Sequence, residues 1–309
     1  MKPALSVIFF TVSSGAGFGL IALLGLADLL QRAAGAGGPG DGEIVAGGLI
    51  ALVLVAAGLL SSTLHLANPR NAWRAFSRFR TSWLSREGIF ALAFFPVAVG
   101  YLALVELGAG EGPRAFAAAC TVLLAWITLY CTGMIYASLK PIPQWHSPLV
   151  PLGYLALGHY SGALLLLAVL AHAGHRTSLY VDWALGWLVV AAAVKVLYYA
   201  SMARANAGTT INTATGVSRA RVRLLDAGHS HGTFLTDEFC FSVARAHARL
   251  GKALVFLVGF VIPLLALLLS PPTLAVAIFA VAAATIGLIL ERWFFFAEAR
   301  HVVRLYHGM

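Results

Sequence analysis

The sequence has 309 residues, of which 60% are hydrophobic and only 11% are charged, and its mean hydropathy is +0.85. A soluble protein is about 45–50% apolar and about 25% charged, so this composition excludes a soluble fold. The formal charge of +9 does not indicate nucleic-acid binding, because the basic residues lie in loops between long apolar segments. The composition therefore predicts an integral membrane protein.

The apolar segments, taken in chain order, predict a bundle of eight transmembrane helices and an all-α fold. A helix needs about 20 mainly apolar residues to cross about 30 Å of hydrocarbon. The first segment is longer than the apolar core of a signal peptide, roughly 7–15 residues, and is predicted to be a retained span. The predicted spans are 6–31, 44–64, 87–107, 114–138, 149–172, 182–203, 251–270 and 273–294. They fill most of residues 1–309, which predicts a single membrane domain.

The distribution of basic residues predicts the orientation of the chain. Most of the 21 lysines and arginines fall on the face that carries the N-terminus, including those in the loops 65–86 and 204–250. The opposite face holds Arg32, Arg114 and Arg176. Positive loops stay in the cytoplasm, so we expect a bacterial inner-membrane protein with both termini inside. Alternatively, the basic face serves to dock an acidic partner, and we expect the 204–250 loop to dock a partner in either case.

The segment between the second and third spans carries the residues that best indicate chemistry. His65 ends one span and Glu87 begins the next, so both lie at the same membrane face. An imidazole can bind a quinone carbonyl oxygen, and a carboxylate can pass protons to or from water. The alternative is that His65 is an interfacial residue and Glu87 a first-turn cap that suits the helix dipole. The candidate quinone-binding residues are His65, Arg80, Trp83, Ser85 and Glu87.

Other basic and aromatic residues of this face are expected to contact a partner or lipid. Five arginines lie between the two spans, and a short proline-rich loop after the fourth span carries a lysine, a tryptophan and a histidine. Anchoring of Trp and Lys at the membrane interface explains the second group equally well. The candidate docking residues are Arg70, Arg74, Arg78, Lys140, Trp145 and His146.

Three ionisable residues are predicted inside spans, where charges are costly and often functional. For Asp28, His159 and Lys195, a proton route and an internally paired polar contact are both open interpretations. Haem needs two axial ligands that face each other, but His159 and His172 share one span, so no haem is expected. The three cysteines have no metal-ligand spacing, so no metal site or iron–sulfur cluster is predicted in this chain.

The segment 65–87 resembles a motif of the anchor subunit of dimethyl sulfoxide reductase. The matching residues are His65-Leu66, Pro69, Ala72-Trp73-Arg74-Ala75 and Ser82-Trp83-Leu84-Ser85-Arg86-Glu87. The resemblance implies a complex of three subunits, in which a molybdopterin subunit exchanges electrons with an iron–sulfur subunit. The anchor would bind that iron–sulfur subunit directly and exchange electrons with ubiquinone or menaquinone. The resemblance also implies that His65 and Glu87 are tied to quinone reactivity and that the anchor holds no haem.

The resemblance leaves the reaction of the partner subunits open. Typical dimethyl sulfoxide reductases of this family place the catalytic subunit outside the cytoplasmic membrane, whereas the charges predict that the His65 face is inside. A cytoplasmic catalytic subunit is similar to the arrangement in membrane-bound sulfite dehydrogenase (quinone), which oxidises sulfite to sulfate. We therefore prefer sulfite oxidation, with a dimethyl sulfoxide or polysulfide reductase that oxidises quinol as the alternative. A secondary transporter and a passive tether that binds no quinone are further alternatives.

Overall fold

The computed structural model describes residues 2–34, 38–64, 68–174, 178–204, 209–226 and 247–307. Within these residues, eight helices are long and apolar enough to cross a membrane, and no β-strand is formed. The predicted all-α fold and the number of spans are confirmed. The helices are α1 (Leu5–Ala34), α2 (Asp41–Thr63), α3 (Trp83–Glu106), α4 (Glu111–Ala137), α5 (Leu149–His172), α6 (Ser178–Arg204), α7 (Ala248–Leu269) and α8 (Leu274–Ala297).

Two local features of the helices follow from particular residues, the early start of α3 and an irregular turn within α7. Helix α3 begins at Trp83 because Ser82 caps it, with the Ser82 hydroxyl accepting a hydrogen bond from the Ser85 backbone N–H at 3.4 Å. Helix α7 contains a π-helical turn, Leu257–Val261, shortly before Pro263. Proline has no backbone N–H to donate, so the regular α-helical bond to residue i−4 is lost there.

Helices α1 and α5 form the centre of the bundle. In an apolar stretch of 18 residues, 83% of the residues of α1 and 72% of those of α5 are buried, compared with 28–44% in the other described spans. The two helices cross closely because Gly15 and Gly19 face Gly158 and Gly162. A Cβ atom on Gly19 would collide with the carbonyl group of Gly158, and one on Gly162 would collide with the backbone of Gly19. The glycines of the first span therefore allow close helix packing in the membrane.

Gly19→Leu is expected to destabilise the protein by about 1–3 kcal/mol, because the added side chain must push α5 away from α1. The thermal unfolding midpoint of the purified protein in detergent would measure the loss. Gly100→Leu is the matched control, since a Cβ at Gly100 meets no atom within 4 Å. Equal losses in the two variants would contradict a special role for the α1–α5 crossing.

The described candidate site residues lie at the end of the bundle that carries the N-terminus, which we call the N-terminal face. It comprises residues 2–4, the α2–α3 and α4–α5 connections and the segment after α8. Ser61 at the end of α2 donates a hydrogen bond to the Ser6 carbonyl at 3.0 Å, and the Val302 N–H donates to the Pro141 carbonyl at 3.0 Å. These contacts hold the α2 end to α1 and the C-terminal segment to the α4–α5 connection.

Candidate functional site

The connection between α2 and α3 forms a 3-10 helix, Pro69–Arg78, which carries predicted docking residues. All three of its arginines are exposed, and the Arg74 guanidinium carbon lies 5.7 Å from the centroid of the Trp73 ring. His65 lies outside the described residues, so its predicted role stays a prediction. The helix presents a basic surface at the N-terminal face.

Two serines fix the entry of the chain into α3. Ser82 caps the helix, and the buried Ser85 hydroxyl accepts a hydrogen bond from the Arg78 backbone N–H at 3.2 Å. These bonds hold the end of the 3-10 helix against the first turn of α3. Ser85 thus shapes the site by holding the loop, and its hydroxyl already has a partner in the protein.

Arg86 connects the α2–α3 loop to Trp83, the aromatic residue of the predicted site. Its guanidinium donates hydrogen bonds to the carbonyl groups of Phe79 at 3.0 Å and Arg80 at 2.8 Å. The guanidinium carbon also lies 4.2 Å from the centroid of the Trp83 ring, and that ring makes an edge contact with Tyr130 of α4 at 5.9 Å. Trp83 is half-buried, and the Arg80 side chain is exposed.

Glu87 is buried between α3 and α4, with 5% of its surface exposed. Its Oε1 atom lies 2.5 Å from Thr132 Oγ1, which also lies 3.0 Å from the Thr128 carbonyl oxygen. A hydroxyl has one hydrogen and two lone pairs. It can donate to an ionised Glu87, or accept from a protonated Glu87 while it donates to Thr128. Both protonation states therefore have a partner, which suits a group that exchanges protons.

Two tyrosines extend this polar region towards α5. Tyr136 lies one turn after Thr132 on α4, so both side chains share a helix face. The Tyr136 ring stacks on the Tyr154 ring with centroids 5.8 Å apart and an interplanar angle of 11°. The same face of α4 thus carries Thr132, the hydrogen-bond partner of Glu87, and one of the two stacked tyrosines. Glu87, Tyr136 and Tyr154 consequently form one polar region at the N-terminal face.

A cluster of three charged residues is buried next to these tyrosines. Glu291 of α8 forms an ion pair with Lys195 of α6 and a two-pronged contact with Arg292, whose Nη2 atom lies 2.7 Å from Glu291 Oε1. All three side chains are at most 6% exposed. Lys195 is thus internally paired. Glu291 is missing from the predicted site residues, although a Glu-Arg pair inside the predicted span 273–294 is a signal that could have identified it.

A second buried ionic cluster lies at the opposite end of the bundle. Arg114 donates two hydrogen bonds to the Asp28 carboxylate, at 2.9 and 2.8 Å, and one to Asp41 at 2.6 Å. The Tyr101 hydroxyl donates to Asp28 at 2.9 Å. Arg114 lies at the predicted face and near the start of the predicted fourth span, but it is 3% exposed and belongs to the first turn of α4 instead of facing water. This cluster joins α1, α2, α3 and α4.

His159 is a packed polar residue with partners for both ring nitrogens. Its Nδ1 lies 2.8 Å from the Leu155 carbonyl oxygen, and its Nε2 accepts a hydrogen bond from the Trp126 indole at 2.8 Å. The ring also stacks on Trp187 with centroids 4.4 Å apart. The Leu155 carbonyl can only accept a hydrogen bond, so Nδ1 carries the hydrogen. This arrangement corresponds to the internally paired interpretation of His159.

The α4–α5 connection places its three candidate docking residues differently. The Trp145 side chain is 4% exposed, its indole N–H donates to the Phe295 carbonyl at 3.0 Å, and its ring stacks on the Phe295 ring at 5.6 Å. Lys140 and His146 are exposed, and His146 Nδ1 lies 2.7 Å from the Ala137 carbonyl oxygen. Trp145 therefore attaches the loop to α8, and Lys140 and His146 are the two candidate docking residues of this loop that are exposed.

These features define a multi-pass membrane protein with a basic face and, just beneath it, a buried carboxyl equipped for proton exchange. The chain belongs to the DMSO reductase anchor subunit (DmsC) family, whose model matches residues 1–297. The match confirms the resemblance to this family that the segment 65–87 predicts, and it extends over residues 1–297.

Subunits of several oxidoreductase complexes are similar in sequence to this protein. The C subunit of sulfite dehydrogenase from Allochromatium vinosum is 36% identical over 328 aligned positions, which cover 99% of both sequences. The corresponding component of the anaerobic dimethyl sulfoxide reductase of Escherichia coli is 29% identical over 40% of this sequence and 43% of its own length. That of the polysulfide reductase of Wolinella succinogenes is 32% identical over 40% and 44%. No solved structure matches the protein. The protein is accordingly a membrane anchor subunit of this group of oxidoreductase complexes.

Proposed function

We propose that this protein transfers electrons from an iron–sulfur subunit to membrane quinone in a complex that oxidises sulfite to sulfate. The observation that carries the quinone role is the buried Glu87 carboxyl with its Thr132 partner at the N-terminal face. The similarity to a sulfite dehydrogenase subunit over 99% of both sequences supports sulfite as the substrate of the partner catalytic subunit. That catalytic subunit would hold molybdopterin and bind the anchor through the iron–sulfur subunit.

The proposed chemistry is balanced by two electrons and two protons. Sulfite and water give sulfate, two electrons and two protons in the catalytic subunit, and quinone takes up two electrons and two protons to become quinol. Glu87 donates a proton to a quinone oxygen and is reprotonated afterwards. The Thr132 hydroxyl rotates so that it accepts a hydrogen bond from protonated Glu87 and donates one to ionised Glu87. Ubiquinone and menaquinone both fit this chemistry.

The other predicted quinone-binding residues have distinct places in the proposed site. Trp83 provides an aromatic wall one helical turn from Glu87. Ser85 holds the loop, and the exposed Arg80 can reach the headgroup from the membrane surface. His65 would bind the second quinone oxygen.

The proposed orientation places the N-terminal face and both termini in the cytoplasm, with the protein in the bacterial inner membrane. The iron–sulfur subunit would dock on the exposed basic residues of this face and on the 204–250 loop. Residues 205–208 and 227–246 of that loop lie outside the described residues. The exposed candidates in the described part of the protein are Arg70, Arg74, Arg78, Lys140 and His146.

The test of this function is a two-way assay of the purified complex. We expect sulfite to drive reduction of a short-chain ubiquinone or menaquinone analogue, followed by absorbance at matched anchor content. If sulfite gives no reduction but the quinol drives reduction of dimethyl sulfoxide or polysulfide, the reductase alternative is correct. A complex that oxidises sulfite with a soluble dye but never reduces quinone would contradict the proposed role of the anchor.

A further inference from the structure

We propose that the buried Lys195–Glu291–Arg292 cluster conducts protons from the aqueous side of the N-terminal face to Glu87. The inference deepens the proposed function and rests on it, because quinone reduction at Glu87 consumes the protons that this route would supply. Glu87 is 5% exposed, so its reprotonation needs a path through the protein. The route has an outer end, a charged middle section and an inner end, and a water molecule would join the last two.

The outer end is a polar cavity of about 350 Å³ at the N-terminal face, lined in part by Tyr199, Lys252 and Glu298. Lys252 Nζ lies 3.0 Å from Glu298 Oε1, and the two side chains are 30% and 10% exposed. Lys252 Nζ also lies 4.9 Å from the centroid of the Tyr199 ring. Water and two exchangeable groups therefore meet at the point where the route would begin.

The middle section is the charged cluster itself. Lys195 Nζ lies 4.7 Å from the Tyr199 ring centroid. The Tyr199 ring therefore contacts both Lys252 of the outer end and Lys195 of the cluster. Lys195 is ion-paired with Glu291, which is fully buried. Lysine and glutamate can both gain and lose a proton, whereas arginine stays protonated. Lys195 and Glu291 are the proton carriers, and Arg292 positions the Glu291 carboxylate.

The inner side of the cluster contains a place for water. The Arg292 Nη1 atom and the Tyr154 hydroxyl are buried near one another, but neither forms a hydrogen bond of normal geometry among the described residues. Both residues line a cavity with about 20 Å³ of space for water, together with Thr11 and Ser161. About 10–15 Å³ suffices for one water molecule, provided that polar partners surround it. In the proposed route, Glu291 passes its proton to a water held here by a hydrogen bond from Arg292, and that water passes a proton on to the Tyr154 hydroxyl.

The last section leads from Tyr154 to Glu87. The Arg292 guanidinium carbon lies 4.5 Å from the Tyr154 ring centroid, and that ring stacks on Tyr136. Tyr136 lies one turn from Thr132, whose hydroxyl binds Glu87. Each proton carrier of the route accepts one proton and passes one on, while Arg292 keeps its charge, so every charge is restored after a transfer. The solution loses one proton for each proton that Glu87 gives to quinone.

The experiment compares two substitutions of Lys195 in the assembled complex. Lys195→Met removes the charge, whereas Lys195→Arg keeps the ion pair with Glu291 but cannot release a proton. We expect both variants to reduce quinone at least about tenfold more slowly than wild type, with a larger solvent deuterium isotope effect. Electron transfer from sulfite to a soluble dye should be unchanged. Lys2→Met, an exposed lysine outside the route, is the matched control.

The outcomes separate this proposal from the proposed function. If the wild-type complex reduces no quinone, the function itself is wrong. If wild type reduces quinone and Lys195→Arg restores the wild-type rate and isotope effect, the cluster is only structural and the route is overturned. Should the Lys195 variants fail to assemble, Tyr154→Phe keeps the ring contacts and removes only the hydroxyl. A wild-type rate in that variant would overturn the route, and a slow rate with a raised isotope effect would support it.

Discussion

Glu87→Gln is expected to lower sulfite-dependent quinone reduction by the assembled complex about 10²-fold. The amide has the size of the carboxyl, and its oxygen can still accept a hydrogen bond from Thr132, so the contact between α3 and α4 is retained. The amide cannot exchange a proton with quinone, so the lower rate arises from the missing proton transfer. The measurement is the rate of quinone-analogue reduction at equal complex concentration.

Glu106→Gln provides the control for this change. Glu106 is exposed at the other end of α3, so the same chemical substitution there should leave the rate unaltered. If Glu87→Gln also has the wild-type rate in a fully assembled complex, the anchor is a passive tether or binds quinone elsewhere. Oxidation of sulfite with a soluble dye, measured in parallel, shows that the catalytic subunit is intact.

Arg114→Met is expected to give the largest loss of stability, about 3–5 kcal/mol. The substitution removes the bidentate guanidinium from the buried Asp28 carboxylate and also breaks the contact with Asp41. A buried carboxylate that loses such a cation is poorly compensated inside the membrane domain. The loss should appear as a lower midpoint in thermal unfolding of the purified complex in detergent.

The double variant Asp28→Asn with Arg114→Met distinguishes a broken ion pair from poor packing. The double variant also removes the negative charge of Asp28. The asparagine amide oxygen can still accept a hydrogen bond from the Tyr101 hydroxyl. Most of the stability lost in Arg114→Met should therefore return. An Arg114→Met protein as stable as wild type would show that the cluster contributes little. The quinone-reduction rate of the folded protein should stay unchanged, since this cluster lies at the face opposite Glu87.

The fold could be predicted from the sequence because the hydrocarbon imposes a length and a composition on each span. The placement of Glu87 at the start of a span could be predicted for the same reason. Its partner Thr132 could not, since hydropathy does not reveal how α3 and α4 are rotated against one another. The predicted site therefore includes Glu87 but lacks the hydroxyl and the tyrosines that surround its carboxyl.

The buried charges show where reasoning from sequence fails. Arg114 and Arg292 lie near the ends of spans, where an arginine is usually interfacial, and the charge distribution alone places both at the membrane faces. Only the packing of neighbouring helices shows that they are internal and paired. Lys195 is recognisable as an intramembrane charge because it lies well inside its span, but its partner Glu291 comes from a helix distant in sequence.

The attachment of the α4–α5 loop to α8 affects the thermodynamics of complex assembly. The Trp145 indole is held by the Phe295 carbonyl, and the Gln144 side-chain oxygen accepts the Arg300 N–H at 3.1 Å. Ordering a flexible side chain at an interface costs about 0.5–1.5 kcal/mol of conformational entropy. A loop already fixed in this way loses less entropy on binding, so a subunit that docks there keeps more of its contact energy as affinity.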